Sequence, residues 1–307
     1  MFPRPIKNAF DRGGGIGLLL ARKQVSGSET MTYHSARTLA EAFSALAGRD
    51  VAVIAGGTDF FAQTGEVLTG RPLLDVTQLP GFRGIFRTQT GWRIGAATRW
   101  SEVIAADLPP AFDGLKVAAR EVGSVQIQNR GTIAGNICNA SPAADGVPPL
   151  LTLLAQVELV SAAGTRTVAL EDFITGVRRT VLMPGELVSA ILIPDAAGRG
   201  GFLKLGARRY LVISIAMVAG VIEVKEGRIV QARLAVGSCS PVARRLPGLE
   251  ARLVGHPVGS PVTVGADDLA GLAPITDLRG TSLYRIEAVA ELLQRLIGDL
   301  VGGRTYG

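Results

Sequence analysis

Residues 128–145 constrain the chain more than any other stretch. They read Gln-Asn-Arg-Gly-Thr-Ile-Ala-Gly-Asn-Ile-Cys-Asn-Ala-Ser-Pro-Ala-Ala-Asp, almost all small side chains, amides and hydroxyls. No apolar/polar alternation marks a strand. The flanks, 115–122 and 148–154, are apolar and would carry this segment into the interior. A long polar loop without structure of its own inside a compact domain is usually functional. The sequence therefore predicts a structureless loop that holds a ligand. The competing reading, a surface loop with side-chain caps, fits the apolar flanks less well.

A second glycine-rich stretch lies upstream. The apolar run 51–55 reads as a buried strand and ends in Gly56-Gly57. In Ile54-Ala55-Gly56-Gly57-Thr58-Asp59-Phe60 the consecutive glycines would let backbone N–H groups approach an oxyanion such as a diphosphate. Thr58 could add a hydroxyl donor. Taken alone, two glycines after a strand more often mark a turn. The stretch matches neither dinucleotide nor P-loop fingerprints.

Composition removes several classes of function. With 307 residues, 47% of them hydrophobic, the chain can bury a large core spread over about two domains. Cys138 and Cys239 are the only cysteines, so a disulfide scaffold and a cluster site on this chain are both disfavoured. His34 and His256 are the only histidines, which leaves no histidine-rich metal site. The longest apolar run, 211–222, is interrupted only by Ser214 and falls short of the ~20 residues of a membrane helix. The net charge of +6 comes from scattered basic residues, and aromatics are 5%, so no nucleic-acid surface is expected. Cys138 reads as a small buried residue rather than a nucleophile. No catalytic acid, base or metal ligand is assigned. A chain equipped to hold rather than to react suits a cofactor that carries the chemistry itself.

The pattern predicts helices over 38–46, 111–122 and 282–300, strands over 72–79, 92–97 and 187–193, and a hairpin of 157–160 with 166–170. A second hairpin pairs 215–224 with 229–236. The Gly-rich stretch 195–201 reads as a linker. Residues 1–30 differ from the rest. Their apolar stretch, 13–21, is too short and too rich in glycine for a signal peptide. An unordered leader is expected there, with ordinary patterning from Tyr33. The fold class is α+β.

At the two loops the sequence resembles the FAD-binding (medium) subunit of the molybdenum hydroxylases, the xanthine dehydrogenase and carbon monoxide dehydrogenase family. Residues 55–59 resemble its first flavin loop and 132–145 its second. Residues 175–180, 184–186 and 204–209 also match, so the resemblance spans about 32–300. It implies a two-subdomain FAD-binding fold of the vanillyl-alcohol oxidase type. A small C-terminal domain with a three-stranded antiparallel sheet and helices would follow. The domains would be 31–197 (subdomains 31–88 and 89–197) and 198–307.

By motif position, 54–60 would wrap the FAD diphosphate. Thr132, Ala134, Gly135 and Asn136 would approach the diphosphate and flavin. Asp145 would accept hydrogen bonds from cofactor hydroxyls, Val188 would pack on the isoalloxazine, and Lys204 would lie near its pyrimidine end. Ala134 replaces a glycine of the family pattern. The implied partners are a large molybdopterin subunit and a small subunit with two [2Fe–2S] clusters. Electrons would pass through FAD to NAD or another acceptor in a cytoplasmic complex. Residues 210–212 depart from the acidic segment of the animal xanthine enzymes, which counts against NAD. Two alternatives stay open: a stand-alone flavoprotein oxidoreductase of the same fold, and a scaffold subunit that has lost FAD.

Overall fold

The computed structural model describes residues 32–47, 50–64 and 71–303; the leader expected at 1–30 lies outside them. Three short parallel strands come first: β1 (Tyr33–Ser35), β2 (Ala52–Ile54) and β3 (Leu73–Asp75), in the order β1-β3-β2. Parallel neighbours need a crossover, and helix α1 (Leu39–Leu46) supplies the first. Thr38 starts it, its hydroxyl accepting from the Glu41 amide at 3.2 Å. Helix α2 (Phe60–Thr64) follows β2 after the first glycine loop. The strand predicted over 72–79 is shorter, because the Asp75 carboxylate accepts from the Thr77 amide at 2.8 Å and turns the chain.

A five-stranded antiparallel sheet comes next, in the order β4-β5-β10-β6-β7. Its strands are β4 (Ile85–Arg87), β5 (Gly91–Gly95), β6 (Gln156–Ser161), β7 (Gly164–Ala169) and β10 (Leu187–Pro194). The small hairpin β8 (Ile174–Gly176) and β9 (Arg179–Thr180) lies between β7 and β10. As the middle strand, β10 is buried on both faces at 187–191, which explains its unbroken apolar run. Its register with β6 shifts between Val188 and Ala190, a bulge.

Five helices follow in the chain between β5 and β6: α3 (Trp100–Ala105), α4 (Asp113–Glu121), α5 (Val125–Gln128), α6 (Ile133–Cys138) and α7 (Val147–Thr152). The predicted helix 111–122 starts later, since Pro110–Phe112 forms a 3₁₀ turn that leads into α4. Trp100, Phe112, Ile133, Ile137 and Leu150 are each at most 1% exposed. Burial of such a side chain is worth about 1.5–3 kcal/mol. Helix α8 (Leu170–Phe173) adds Phe173 to the same core.

The C-terminal part is an antiparallel sheet of β11 (Arg199–Leu205), β12 (Ala216–Lys225), β13 (Arg228–Gly237) and β14 (Arg244–Arg245). Three strands were expected, and the sheet has four, because the two-residue β14 also pairs with β13. The expected linker 195–201 shrinks because its last three residues already pair with β12. Gly200 serves close packing there, as a Cβ would sit 2.2 Å from the Ala111 carbonyl oxygen. Helices α9 (Pro247–Leu253), α10 (Ala266–Leu269) and α11 (Ser282–Val301) complete the part. Val289, Leu293, Leu296, Ile297 and Leu300 of α11 are buried in one core cluster with β12 and β13. Leu283, at the first turn of the helix, is 65% exposed.

Candidate functional site

The first glycine loop leaves the carboxyl end of β2, where ligands collect in parallel sheets. Gly57 has φ +71°, a left-handed conformation that favours glycine. A Cβ on Gly56 would lie 2.0 Å from the Arg130 carbonyl oxygen, so the two glycine-rich segments are in backbone contact. The Gly57 carbonyl accepts from the Phe61 amide at 3.0 Å and starts α2. No hydrogen bond to a described residue takes up the backbone N–H groups of Gly56, Gly57, Thr58 or Asp59. Four consecutive donors therefore stand ready for an anionic group.

The second segment is not the structureless loop its composition suggested. Thr132 caps α6, its hydroxyl accepting from the Gly135 amide at 3.1 Å. The Ile133 and Ala134 amides donate to the carbonyls of Thr98 (3.0 Å) and Ala96 (3.2 Å), and Asn136 donates to Thr132 (3.1 Å). A threonine with its side chain turned back on the backbone starts a helix even among glycines and alanines. Backbone donors are thus already used here. Ala134 points into the core at 5% exposure, which accommodates the methyl that departs from the family pattern. Gly135 is exposed. Asn136 is half-buried, and its Oδ1 is a buried acceptor with no hydrogen-bond partner among the described residues. Such an orphan carries a desolvation cost unless a ligand donates to it.

Asp145 and Lys204 come together although 59 positions apart. Their side chains are 9% and 7% exposed, with Nζ 2.8 Å from Oδ2. Ser214 donates to Oδ1 at 2.5 Å. Lys204 also donates to the Val212 carbonyl at 3.3 Å and lies 3.6 Å from Glu121 Oε2. Burial pushes the Asp145 carboxyl up, opposed by the Lys204 ammonium and the Ser214 hydroxyl. Both Asp145 oxygens already have protein donors, and each retains a lone pair for a further one. Val188 is 7% exposed beside the bulge of β10.

Between the two loops lies a cleft of about 220 Å³ lined by Ala55, Gly56, Ala97 and Thr132, with Asp75, Thr77, Gln78, Arg83, Arg99 and Arg130 around it. Glu121, Ser214 and Arg99 escaped the sequence reading, and Arg130 entered it only as a member of the loop 128–145. Ser214 left a trace, as the single polar interruption of the apolar run 211–222. Glu121 and Arg99 had no signal beyond being charged. Cys138 is half-buried, and burial pushes its thiol up to about 12, which keeps it protonated and unreactive. Among the described residues no group of three or more His, Cys, Asp or Glu could hold a metal ion. The available features are backbone donors, an orphan acceptor and a buried ion pair. They fit a large polar cofactor with a diphosphate, hydroxyls and N–H groups, as FAD has.

Comparison with known proteins agrees with this chemistry. The family described as FAD binding domain in molybdopterin dehydrogenase matches residues 28–196. The CO dehydrogenase flavoprotein C-terminal domain matches 202–300. The chain is 32% identical over 275 residues to the glyceraldehyde dehydrogenase medium chain of Sulfolobus acidocaldarius, covering 88% of this chain and 98% of that one. It is 28% identical over 273 residues to the carbon monoxide dehydrogenase medium chain of Hydrogenophaga pseudoflava, covering 86% and 95%. Among solved structures, a chain of the Cu,Mo-CO dehydrogenase superposes with a TM-score of 0.81 at 26% identity, covering 89% of this chain and 98% of that one.

Proposed function

The chain belongs to the FAD-binding medium subunits of the molybdenum hydroxylases, the xanthine and carbon monoxide dehydrogenase family, and from that premise we propose that it is the electron-transfer subunit of a larger complex. Its place would be between the [2Fe–2S] clusters of a small partner subunit and NAD or another acceptor. A large subunit with molybdopterin would carry the substrate chemistry. Bound FAD would supply the redox chemistry that connects one-electron donors with a two-electron acceptor.

The chain's own residues would hold the cofactor in place. The free amides of 56–59 would donate to the diphosphate, and Asn136 Oδ1 would accept from a cofactor N–H or hydroxyl. Asp145 would accept from cofactor hydroxyls on its remaining lone pairs. Its ion pair with Lys204 joins β11 to the loop before α7, and so fixes one wall of the site. Val188 would offer an apolar surface to the ring system. Residues 31–197 would form the flavin-binding part and 198–307 the part that closes it. A cytoplasmic location would fit, and among the described residues no helix is long and apolar enough to cross a membrane.

The observation that carries this reading is the pairing of unused backbone donors in the first loop with the orphan acceptor in the second. The test is a visible spectrum of the purified chain followed by chromatography of what heat releases. Flavin absorption and released FAD are the expected result. A chain that stays colourless after incubation with FAD, alone and with its partner subunits, would favour a scaffold that has lost the cofactor.

A further inference from the structure

Arg99 and Arg130 flank the cleft between the two loops. An isolated bridge pairs the backbone of Arg99 with that of Thr132, the residue that caps α6. The Arg130 carbonyl is the atom that touches Gly56. Both arginines are therefore tied by their main chains to the two segments that would surround a diphosphate. Neither guanidinium has a hydrogen bond or ion pair with any described residue. The third arginine of the cleft differs: Arg83 Nε donates to both carboxylate oxygens of Glu102, at 2.9 and 3.1 Å. Among the described residues the only carboxylate lining the cleft, Asp75, is held by the Tyr33 hydroxyl and the Thr77 amide. Among the residues lining the cleft are thus two arginines with uncommitted guanidinium groups and Gly56, the first of four consecutive residues whose amides have no acceptor among the described residues.

Guanidinium groups match phosphate oxygens in geometry and stay charged at any ordinary pH. We propose that Arg99 and Arg130 are binding residues for the diphosphate of the cofactor, neutralising charge that the backbone donors of 56–59 contact but cannot cancel. This rests on the FAD reading above. It assigns to two side chains a role that the loop motifs give to backbone alone. Two consequences follow. Retention of the dinucleotide should weaken as salt screens the charges. ADP, which carries the diphosphate without a flavin, should compete for the same two residues.

The test measures FAD affinity of the deflavinated full-length chain by flavin fluorescence, at several salt concentrations, with ADP as competitor. Wild type is compared with R99Q/R130Q, R99K/R130K and Gly57→Leu. Since neither side chain has a protein partner, the glutamine variant should keep its circular dichroism and unfolding midpoint. Its affinity for FAD and for ADP should fall roughly 10- to 100-fold, the effect of losing charge-assisted hydrogen bonds. Its salt dependence should flatten, and the lysine variant should recover most of it. If affinity and salt slope are unchanged in R99Q/R130Q while Gly57→Leu empties the site, the arginines do not face the diphosphate and the proposal falls alone. If wild type binds no FAD under any of these conditions, the FAD reading fails and takes the proposal with it.

Discussion

The two glycine-rich segments look alike in sequence and work by opposite means. In 55–59 the glycines free the backbone. Gly57 takes a left-handed φ, and the N–H groups of 56–59 find no acceptor among the described residues. In 132–136 the backbone is closed by the Thr132 cap and by hydrogen bonds to Ala96 and Thr98. What this segment offers is a side chain, the buried Oδ1 of Asn136, and an exposed Gly135 that lets a ligand approach. A glycine-rich loop can thus serve as a set of donors or as cleared ground. Only the hydrogen-bond partners tell the two apart.

The contact between the segments leaves no room for a side chain at Gly56. Gly56→Ala places a methyl 2.0 Å from the Arg130 carbonyl oxygen, and the three nearest atoms all belong to the backbone of Arg130 and Gly131. The loops must separate. Such overpacking costs about 1–3 kcal/mol, which corresponds to a drop of roughly 2–5 °C in the unfolding midpoint of a chain this size. FAD content should fall at the same time. A variant that melts and binds flavin like wild type would show that the two segments do not depend on each other.

Asp145→Ala probes the far end of the second segment by removing a partner rather than by adding a clash. Lys204 would lose its 2.8 Å partner and keep Glu121 at 3.6 Å and the Val212 carbonyl at 3.3 Å. Leaving a buried charge without its partner costs about 3–5 kcal/mol, and the presence of Glu121 points to the lower end. FAD retention should weaken by about 1–3 kcal/mol. Calorimetry and a flavin titration read the two numbers separately. Lost stability with unchanged FAD affinity would make Asp145 a strut between β11 and the loop before α7, and would take it out of the cofactor site.

How far the sequence revealed this arrangement depends on the range of the interaction. The helix over 282–301 and both hairpins follow from local periodicity and turn residues, and they stand close to their predicted bounds. The two loops were legible because a run of small residues between apolar flanks has few other uses. Helix α6 was hidden inside one of them, since its cap is a single threonine and its body is short. The ion pair of Asp145 with Lys204 was out of reach from the residues alone. Its partners lie 59 positions apart, and Glu121 and Ser214 approach it from two other elements. Motif resemblance had placed both residues near the flavin without showing that they touch each other.

The smallest effect concerns Cys138, on the closed segment. If the backbone of α6 is held as tightly as its hydrogen bonds indicate, the Cys138 thiol stays buried enough to remain protonated, pushed up to about 12. Cys239, at 0% exposure, is pushed up to about 11 for the same reason. An ordinary cysteine, with a pKa near 8.5, becomes steeply more reactive toward a disulfide reagent between pH 7 and 9 as its thiolate fraction grows. Neither cysteine of the folded chain should do so. Both should react only once denaturant opens the structure. Rapid labelling of Cys138 at pH 8 in the native chain would mean that the second segment opens on that timescale. The contrast drawn between an open first loop and a closed second one would then not hold.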